Sequence, residues 1–338
     1  MTNIQTLTSL LETAWQHRQS FLQQMHQEST DCYRLFHGSV EGFMGLTVDR
    51  YGNNLLIQSF HQSLSADEIN TISDFYQKVI SNVNNHFYHN RSKDAESKQR
   101  QCLIGNSLQT QISEAGLHYY CDMQHSGQDP LLFLDFRAAR RKVRQISHNK
   151  SVLNCFSFSC GIGIAAAAGQ ASRVHNVDFS SSALSAGEKS LALNALDQAQ
   201  TQFIKEDYFL AVRQMAGLSL PVRQQRGMKG IKRYPQQSFD LVVLDPPRWS
   251  KSRFGTVDLI RDYNSVFKPA LLATKPQGQI LCTNNVAQVD KQIWLDNIQR
   301  CCEKNAYKIN RIEFIDVDED FPSFDNNTPL KQVLLSFN

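Results

Sequence analysis

The pentapeptide Leu244-Asp245-Pro246-Pro247-Arg248 follows a short apolar run, Phe239-Asp240-Leu241-Val242-Val243. Proline donates no ladder hydrogen bond, so the run reads as an interior parallel strand that stops in a stiff loop. Ligands of open α/β sheets sit outside the carboxyl ends of the strands, where an acid and fixed carbonyls can grip a planar, polar group. Three earlier strand candidates end in comparable chemistry. The first runs into Ser157-Phe158-Ser159-Cys160-Gly161-Ile162-Gly163, whose glycines allow close backbone approach. The second ends at Asp178, seventeen residues after Gly161, where a carboxylate can accept both hydroxyls of a ribose. The third ends at Asp207, in place for an adenine amino group. Each acid alone could be turn or capping chemistry, Asp178 before Ser180-Ser181-Ser182 above all. Their order at four successive strand ends is harder to obtain by accident.

The elements that must position these residues alternate regularly from Ser151. VLNCFSF, RVHNVDFS, TQFIKEDYF, FDLVVLDPP and GQILCTNN are strand candidates, separated by helical stretches. Such βαβα alternation predicts a parallel sheet covered on both faces. A helix from Asp290 to Lys304 leads to YKINRIEFIDV and LKQVLLSFN, which predict a closing antiparallel hairpin. Upstream, residues 3–27 carry leucines at helical spacing and read as a surface or linker helix. YRLFHG, FMGLTVDRYG and NLLIQSF predict a small β-meander, followed by a helix from Ala66 to Ser81. LHYYCDM reads as a strand, and LLFLDFRAARRKVRQ as a strand running into a helix. The expected organisation is a linker helix (1–32), a small α+β domain (33–125) and a larger α/β domain (126–338).

At 338 residues, 41% hydrophobic and 20% charged, the composition is that of a globular protein with room for two cores. No apolar run approaches the roughly 18 residues of a membrane helix, and no leader pattern is visible, which predicts a cytoplasmic protein without a membrane partner. The eight cysteines form no CxxC pair and no histidine grouping, so neither a metal site nor a disulfide framework is expected. Net charge is +3, but twelve of the 35 basic residues fall in the acid-free stretches 136–150 and 211–237, against an acidic stretch from Glu313 to Asp325. Such segregation predicts a polyanion-facing side, with basic faces that have no partner as the plain alternative.

Gly161-Ile162-Gly163-Ile164-Ala165-Ala166 also fits GxGxxA, the fingerprint of a nicotinamide dehydrogenase, which needs a pyrophosphate at the helix start. That reading leaves the Asp-Pro-Pro strand end and the closing hairpin without a role. S-adenosylmethionine has a ribose, an adenine and no phosphate, and would use all four strand ends.

At these residues the chain resembles the class I methyltransferases that modify bases of large-subunit ribosomal RNA. YRLFHGSVEGFMGLTVDRYGN resembles their small β-domain, LLFLDFR their cofactor-covering segment, and VLNCFSFSCGIGIAAAAG, VDFSSSAL and DLVVLDPPRWSKS their successive motifs. The resemblance implies a seven-stranded, Rossmann-like methyltransferase sheet with a small N-terminal α+β domain, S-adenosyl-L-methionine as cofactor, and ribosomal RNA as partner. It further implies that Phe156, Ser157, Ser159, Gly161, Gly163, Asp178, Phe179 and Asp207 hold the cofactor, with Asp135 and Arg137 over it. Asp245, Pro246 and Pro247 would face the transferred methyl. Relatives often add an amino-terminal RNA-binding domain, for which the 32 residues before Tyr33 are too few. Gly127-Gln128-Asp129-Pro130 departs from the family's threonine-glycine pair.

A second departure concerns the acceptor. Relatives that methylate carbon-5 of a pyrimidine use a thiolate three residues after a threonine, and here Val286 follows Thr283 at that spacing. Cys282 lies within the strand and reads as core. Asn284-Asn285 resembles relatives that methylate a guanine ring nitrogen. A nitrogen already carries a lone pair, so orientation replaces covalent help. Asp245 can orient a proton-bearing nitrogen, Asn285 can bond a base edge, and Trp249 can stack on an extruded base. Packing of its own loop is the plain reading of Trp249, and turn chemistry that of Asn284. Arg248 and the long insertion 216–237, with Arg223, Arg226, Lys229, Lys232 and Arg233, are candidate RNA contacts. The expectation is a base methyltransferase acting on a nitrogen of ribosomal RNA. The alternative is a non-catalytic RNA-binding or assembly module that keeps the fold.

Overall fold

The computed structural model describes residues 4–93, 100–106, 109–125, 129–220, 231–325 and 327–338. The chain divides into two units, Met1–Arg137 with Asp318–Thr328, and Ala138–Val317 with Pro329–Asn338. The division thus falls at Arg137/Ala138 rather than 125/126, and a late segment returns to the first unit.

In that unit the expected linker helix is two helices, α1 (Ile4–His17) and α2 (Gln19–Gln27), broken at Arg18. Their stripe of Leu7, Leu11, Ala14, Phe21, Leu22 and Met25 is buried in the unit's core, so they are part of it. Three strands, β1 (Cys32–His37), β2 (Leu46–Tyr51) and β3 (Asn54–Ser59), pair antiparallel as a meander. The helix α3 (Ala66–Val79), opened by a Ser65/Glu68 capping box, then carries the chain over to β4 (Asn85–Asn90), which pairs parallel to β3. Beyond β5 (Gln101–Ile104), a separate hairpin joins β6 (Gln109–Glu114) to β7 (Leu117–Asp122). LLFLDF forms no strand; a short 3₁₀ turn at Leu134–Phe136 opens directly into α4 (Arg137–Ile146).

The second unit carries the expected alternation: β8 (Ser151–Cys155), α5 (Gly161–Ala168), β9 (Arg173–Asp178), α6 (Ser181–Leu193), β10 (Thr201–Lys205), α7 (Tyr208–Met215) and β11 (Phe239–Leu244). A short hairpin follows, β12 (Trp249–Lys251) with β13 (Thr256–Asp258), and then α8 (Asn264–Leu272), β14 (Thr274–Asn284), α9 (Lys291–Lys304), β15 (Ile309–Phe314) and β16 (Lys331–Phe337). The seven-stranded sheet is ordered β10-β9-β8-β11-β14-β16-β15, parallel through β14 and antiparallel in its last two pairings. All five residues of β8 are buried, as a strand covered on both faces requires. Asp240 ties the amino ends together. One oxygen accepts the Ser151 amide (2.9 Å) and hydroxyl (2.6 Å), and the other takes Lys275 at 2.7 Å. Those contacts fix β8, β11 and β14 in mutual register. Among the described residues no helix is long and apolar enough to cross a membrane.

Candidate active site

Strand register aligns the carboxyl ends. Cys155 pairs with Val177 and with Leu244, and Leu244 pairs with Cys282. One residue further along each strand, Asp178, Phe156, Asp245 and Thr283 therefore form a row across one edge of the sheet. Adjacent strands lie roughly 4.8 Å apart, which separates Asp178 from Asp245 by about 10 Å. Asp207 stands two residues beyond Lys205, the partner of Asp178.

The loop after β8 gets its shape where the sequence did not point. Phe156, Phe158 and Cys160 are left-handed, with φ of 55°, 48° and 62°. The glycines are not: Gly161 and Gly163 lie in α5, and a Cβ on Gly163 would sit 2.0 Å from Asn176 Oδ1. That glycine seats the helix on β9. Side chains such as phenylalanine disfavour left-handed backbone, and here the surroundings hold it in place. The Asp178 carboxylate accepts the Phe158 amide at 2.8 Å, Val177 accepts the Ser157 amide at 3.0 Å, and the Phe156 ring stacks on Tyr208 at 4.4 Å. Ser157 and Ser159 are buried in this loop.

Asp178 is buried, and its other oxygen accepts the Ser180 amide at 2.9 Å. Burial raises its pKa, opposed by these backbone bonds. The capping role is real, since Asp178 shapes the loop and the helix start, yet each oxygen keeps a second lone pair for a ligand. Phe179 beside it is 70% exposed, an open aromatic face. Asp207 caps α7 through the Leu210 amide. No cation occurs in 156–164 or 178–180. Carboxylates and an open ring suit a hydroxylated aromatic group, so these residues fit an adenosyl ligand.

At the other end of the row, Thr283 donates its hydroxyl to Asp245, and the Thr283 carbonyl accepts Tyr263 Oη at 2.9 Å. Pro246 is buried, while Pro247, Arg248 and Trp249, the last 62% exposed, face outward. The hairpin β12–β13, too short to announce itself in the sequence, holds Trp249 there. Its Phe254, Val257 and Leu259 are buried in the core, and Gly255 packs on the Phe209 ring. Trp249 is therefore not loop packing. Asn284 is turn chemistry: its Oδ1 accepts the Val286 amide at 3.0 Å and its Nδ2 donates to the Leu259 carbonyl at 3.3 Å. Asn285 is exposed. Cys282 and Cys160 are fully buried, which pushes both thiols far above their ordinary range. Neither thiol reaches the surface.

One expectation is corrected by ion pairing. Arg137 is buried, its guanidinium bonded to Asp318 (2.9 Å), both oxygens of Asp320 (3.0 and 2.9 Å) and the Cys32 carbonyl (3.0 Å). Both terminal nitrogens are engaged within the first unit and are not free to cover a ligand. Asp135, in the 3₁₀ turn just before Arg137, acts electrostatically on Arg34 and on Asp129, whose pKa desolvation and this neighbour raise to about 7. The charge segregation is likewise partly internal, since Lys142 pairs with Glu313 at 2.5 Å and Arg140 is buried. Lys232 and Arg233 are exposed; Arg223, Arg226 and Lys229 lie outside the described residues.

Residues 34–336 match the family of S-adenosylmethionine-dependent methyltransferases. Similar proteins include Ribosomal RNA large subunit methyltransferase I of Escherichia coli and of Shigella flexneri, each 28% identical over 266 residues, 75% of this chain and 61% of the relative. The chain thus spans 61% of the length of these relatives. Among solved structures, the methyltransferase SMU.776 complexed with SAH superposes with a TM-score of 0.81 at 21% identity, over 99% of this chain and 82% of that one. The M. jannaschii tRNA m1G37 methyltransferase gives 0.55 at 14% identity, over 88% and 76%.

Proposed function

Because the chain belongs to the S-adenosylmethionine-dependent methyltransferase family, we propose that it methylates a nitrogen on a base of ribosomal RNA in the cytoplasm. The observation that carries this reading is the strand end itself. A carboxylate held by Thr283 stands four positions before an outward tryptophan, and buried Val286 takes the place where a thiolate would be needed for carbon. The cofactor, when bound, supplies a methyl activated by a sulfonium. Phe156, Ser157, Ser159, Gly161, Gly163, Asp178, Phe179 and Asp207 would hold it. Asp178 and Asp207 would take its hydroxyls and amino group, and Phe179 would cover its ring.

Asp245, with Thr283 on one oxygen, keeps lone pairs with which to accept a proton from the acceptor nitrogen or fix its orientation. Asn285 would hydrogen-bond the base edge. Trp249 would stack on the base once it is out of its helix, and Arg248, Lys232 and Arg233 would meet phosphates. The RNA assignment is supported by the names of the relatives above, and by an exposed cation, Arg248, next to the exposed Trp249 ring, a pairing suited to gripping an unstacked strand. The test is methyl transfer from labelled S-adenosylmethionine to RNA from cells lacking the protein, with nucleoside mass spectrometry to locate the methyl. The expected product is an N-methylated base, with Asp245→Asn slowing transfer about 100-fold while cofactor still binds. Cofactor binding without any transfer would instead leave a non-catalytic RNA-binding module.

A further inference from the structure

Lys331 opens β16 and pairs in register with Asn284, at the end of β14. It is 3% exposed. Its ammonium donates to the Val286 carbonyl at 2.8 Å and to the Pro329 carbonyl at 3.2 Å, and among the described residues no carboxylate comes within ion-pair distance. Burying an ammonium without a counter-ion is unfavourable, and a methionine would fill the same space. Of the two carbonyls it meets, the one in the turn does not depend on it, because Val286 O also accepts the Val289 amide at 3.1 Å. A buried cation that reaches across to an acceptor already satisfied calls for a reason beyond rescuing an orphaned group at Val286.

The geometry of the turn supplies one. From Ile280 to Val286 every residue is buried except Asn285. The turn is clamped on its near side by the Asn284 side chain, which bonds the Val286 amide and the Leu259 carbonyl, and on its far side by Lys331. Asn285 is left facing outward between the clamps, two residues beyond the threonine that holds Asp245.

We infer that Lys331 is a positioning residue for the acceptor base, its ammonium fixing the turn that presents Asn285 beside the Asp245 strand end. For its functional consequence the inference rests on the base-methylation reading. Burial also lowers the lysine's pKa, with Asp290 opposing, as an ammonium held for geometry rather than for charge pairing would show.

The test uses the full chain with Lys331→Met, Lys331→Gln, Asn285→Ala and the Lys331→Met/Asn285→Ala pair. Lys331→Met is expected to raise hydrogen exchange in residues 284–290 about ten-fold, leaving 151–165 and 239–248 unchanged. S-adenosylhomocysteine affinity should hold. The kcat for RNA should fall about ten-fold, with little further loss when Asn285→Ala is already present, because both changes remove one presented group. Lys331→Gln, which keeps a donor, should recover part of both effects, and it carries the comparison if Lys331→Met does not fold. Unchanged exchange at 284–290, or losses that simply multiply, would overturn the inference. If the wild-type chain methylates no RNA, the functional reading fails by itself, and the exchange measurement still decides the clamp.

Discussion

Trp249 and His175 show how differently one side chain can matter. Trp249 lies 62% exposed on a hairpin whose other apolar residues are buried, so it can be removed without opening the core. Trp249→Ala is expected to weaken RNA binding by about 1–3 kcal/mol in a titration with single-stranded RNA, leaving cofactor affinity unchanged. His175 is buried with its Nδ1 unpaired, stacked edge-on to Phe239 at 5.2 Å, and burial with help from Arg173 lowers its pKa to about 4. The unfolded chain takes up this proton near pH 6.5, whereas the folded ring refuses it until about 4. Stability should therefore fall as pH drops from about 6.5 to 4. Urea midpoints across that window should show a flatter acid limb for His175→Phe, with a residual slope from His37, lowered to about 3 in the first unit. At this scale the sequence was informative wherever a residue's chemistry depends on its place along a strand, as for Asp245 and Asn284. It misled at Arg137, whose partners Asp318 and Asp320 stand some 180 positions away.

Among the elements, the βαβ alternation was legible because interior parallel strands are continuous apolar runs and their helices are not. The β12–β13 hairpin was not legible, being three residues a side with only Val257 buried. Nor was the source of the bend after β8. The glycines drew attention, yet three side-chain-bearing residues adopt the left-handed backbone, because Asp178 and Tyr208 hold them there. Gly163 contributes a missing side chain instead of a torsion. Gly163→Ala should push α5 off β9, where Asn176 is itself held by Asn154 at 2.9 Å, and destabilise the protein by about 1–3 kcal/mol in urea unfolding. A Gly161→Ala control separates packing from any direct effect on the ligand.

At the scale of the whole molecule, some of the sequence's basic and acidic residues prove to be partners of one another. Arg137 with Asp318 and Asp320, and Lys142 with Glu313, pair within their own units. Asp320→Ala would leave the Arg137 guanidinium buried without its bidentate partner, and a loss of about 3–5 kcal/mol is expected in chemical denaturation. Asp325→Asn, on the exposed part of the same segment, should leave the midpoint in place. The unit boundary was illegible for a related reason: residues 318–328 join the first unit only through contacts that no local pattern announces. The strand order has a further bearing on how the protein is born. Because β16 lies between β14 and β15, a newly made chain shows the apolar edge of β14, and a lone β15, until residues 331–337 have docked between them. Any holding factor that recognises unpaired edges has that interval in which to act, and a nascent chain halted before Lys331 would remain its client.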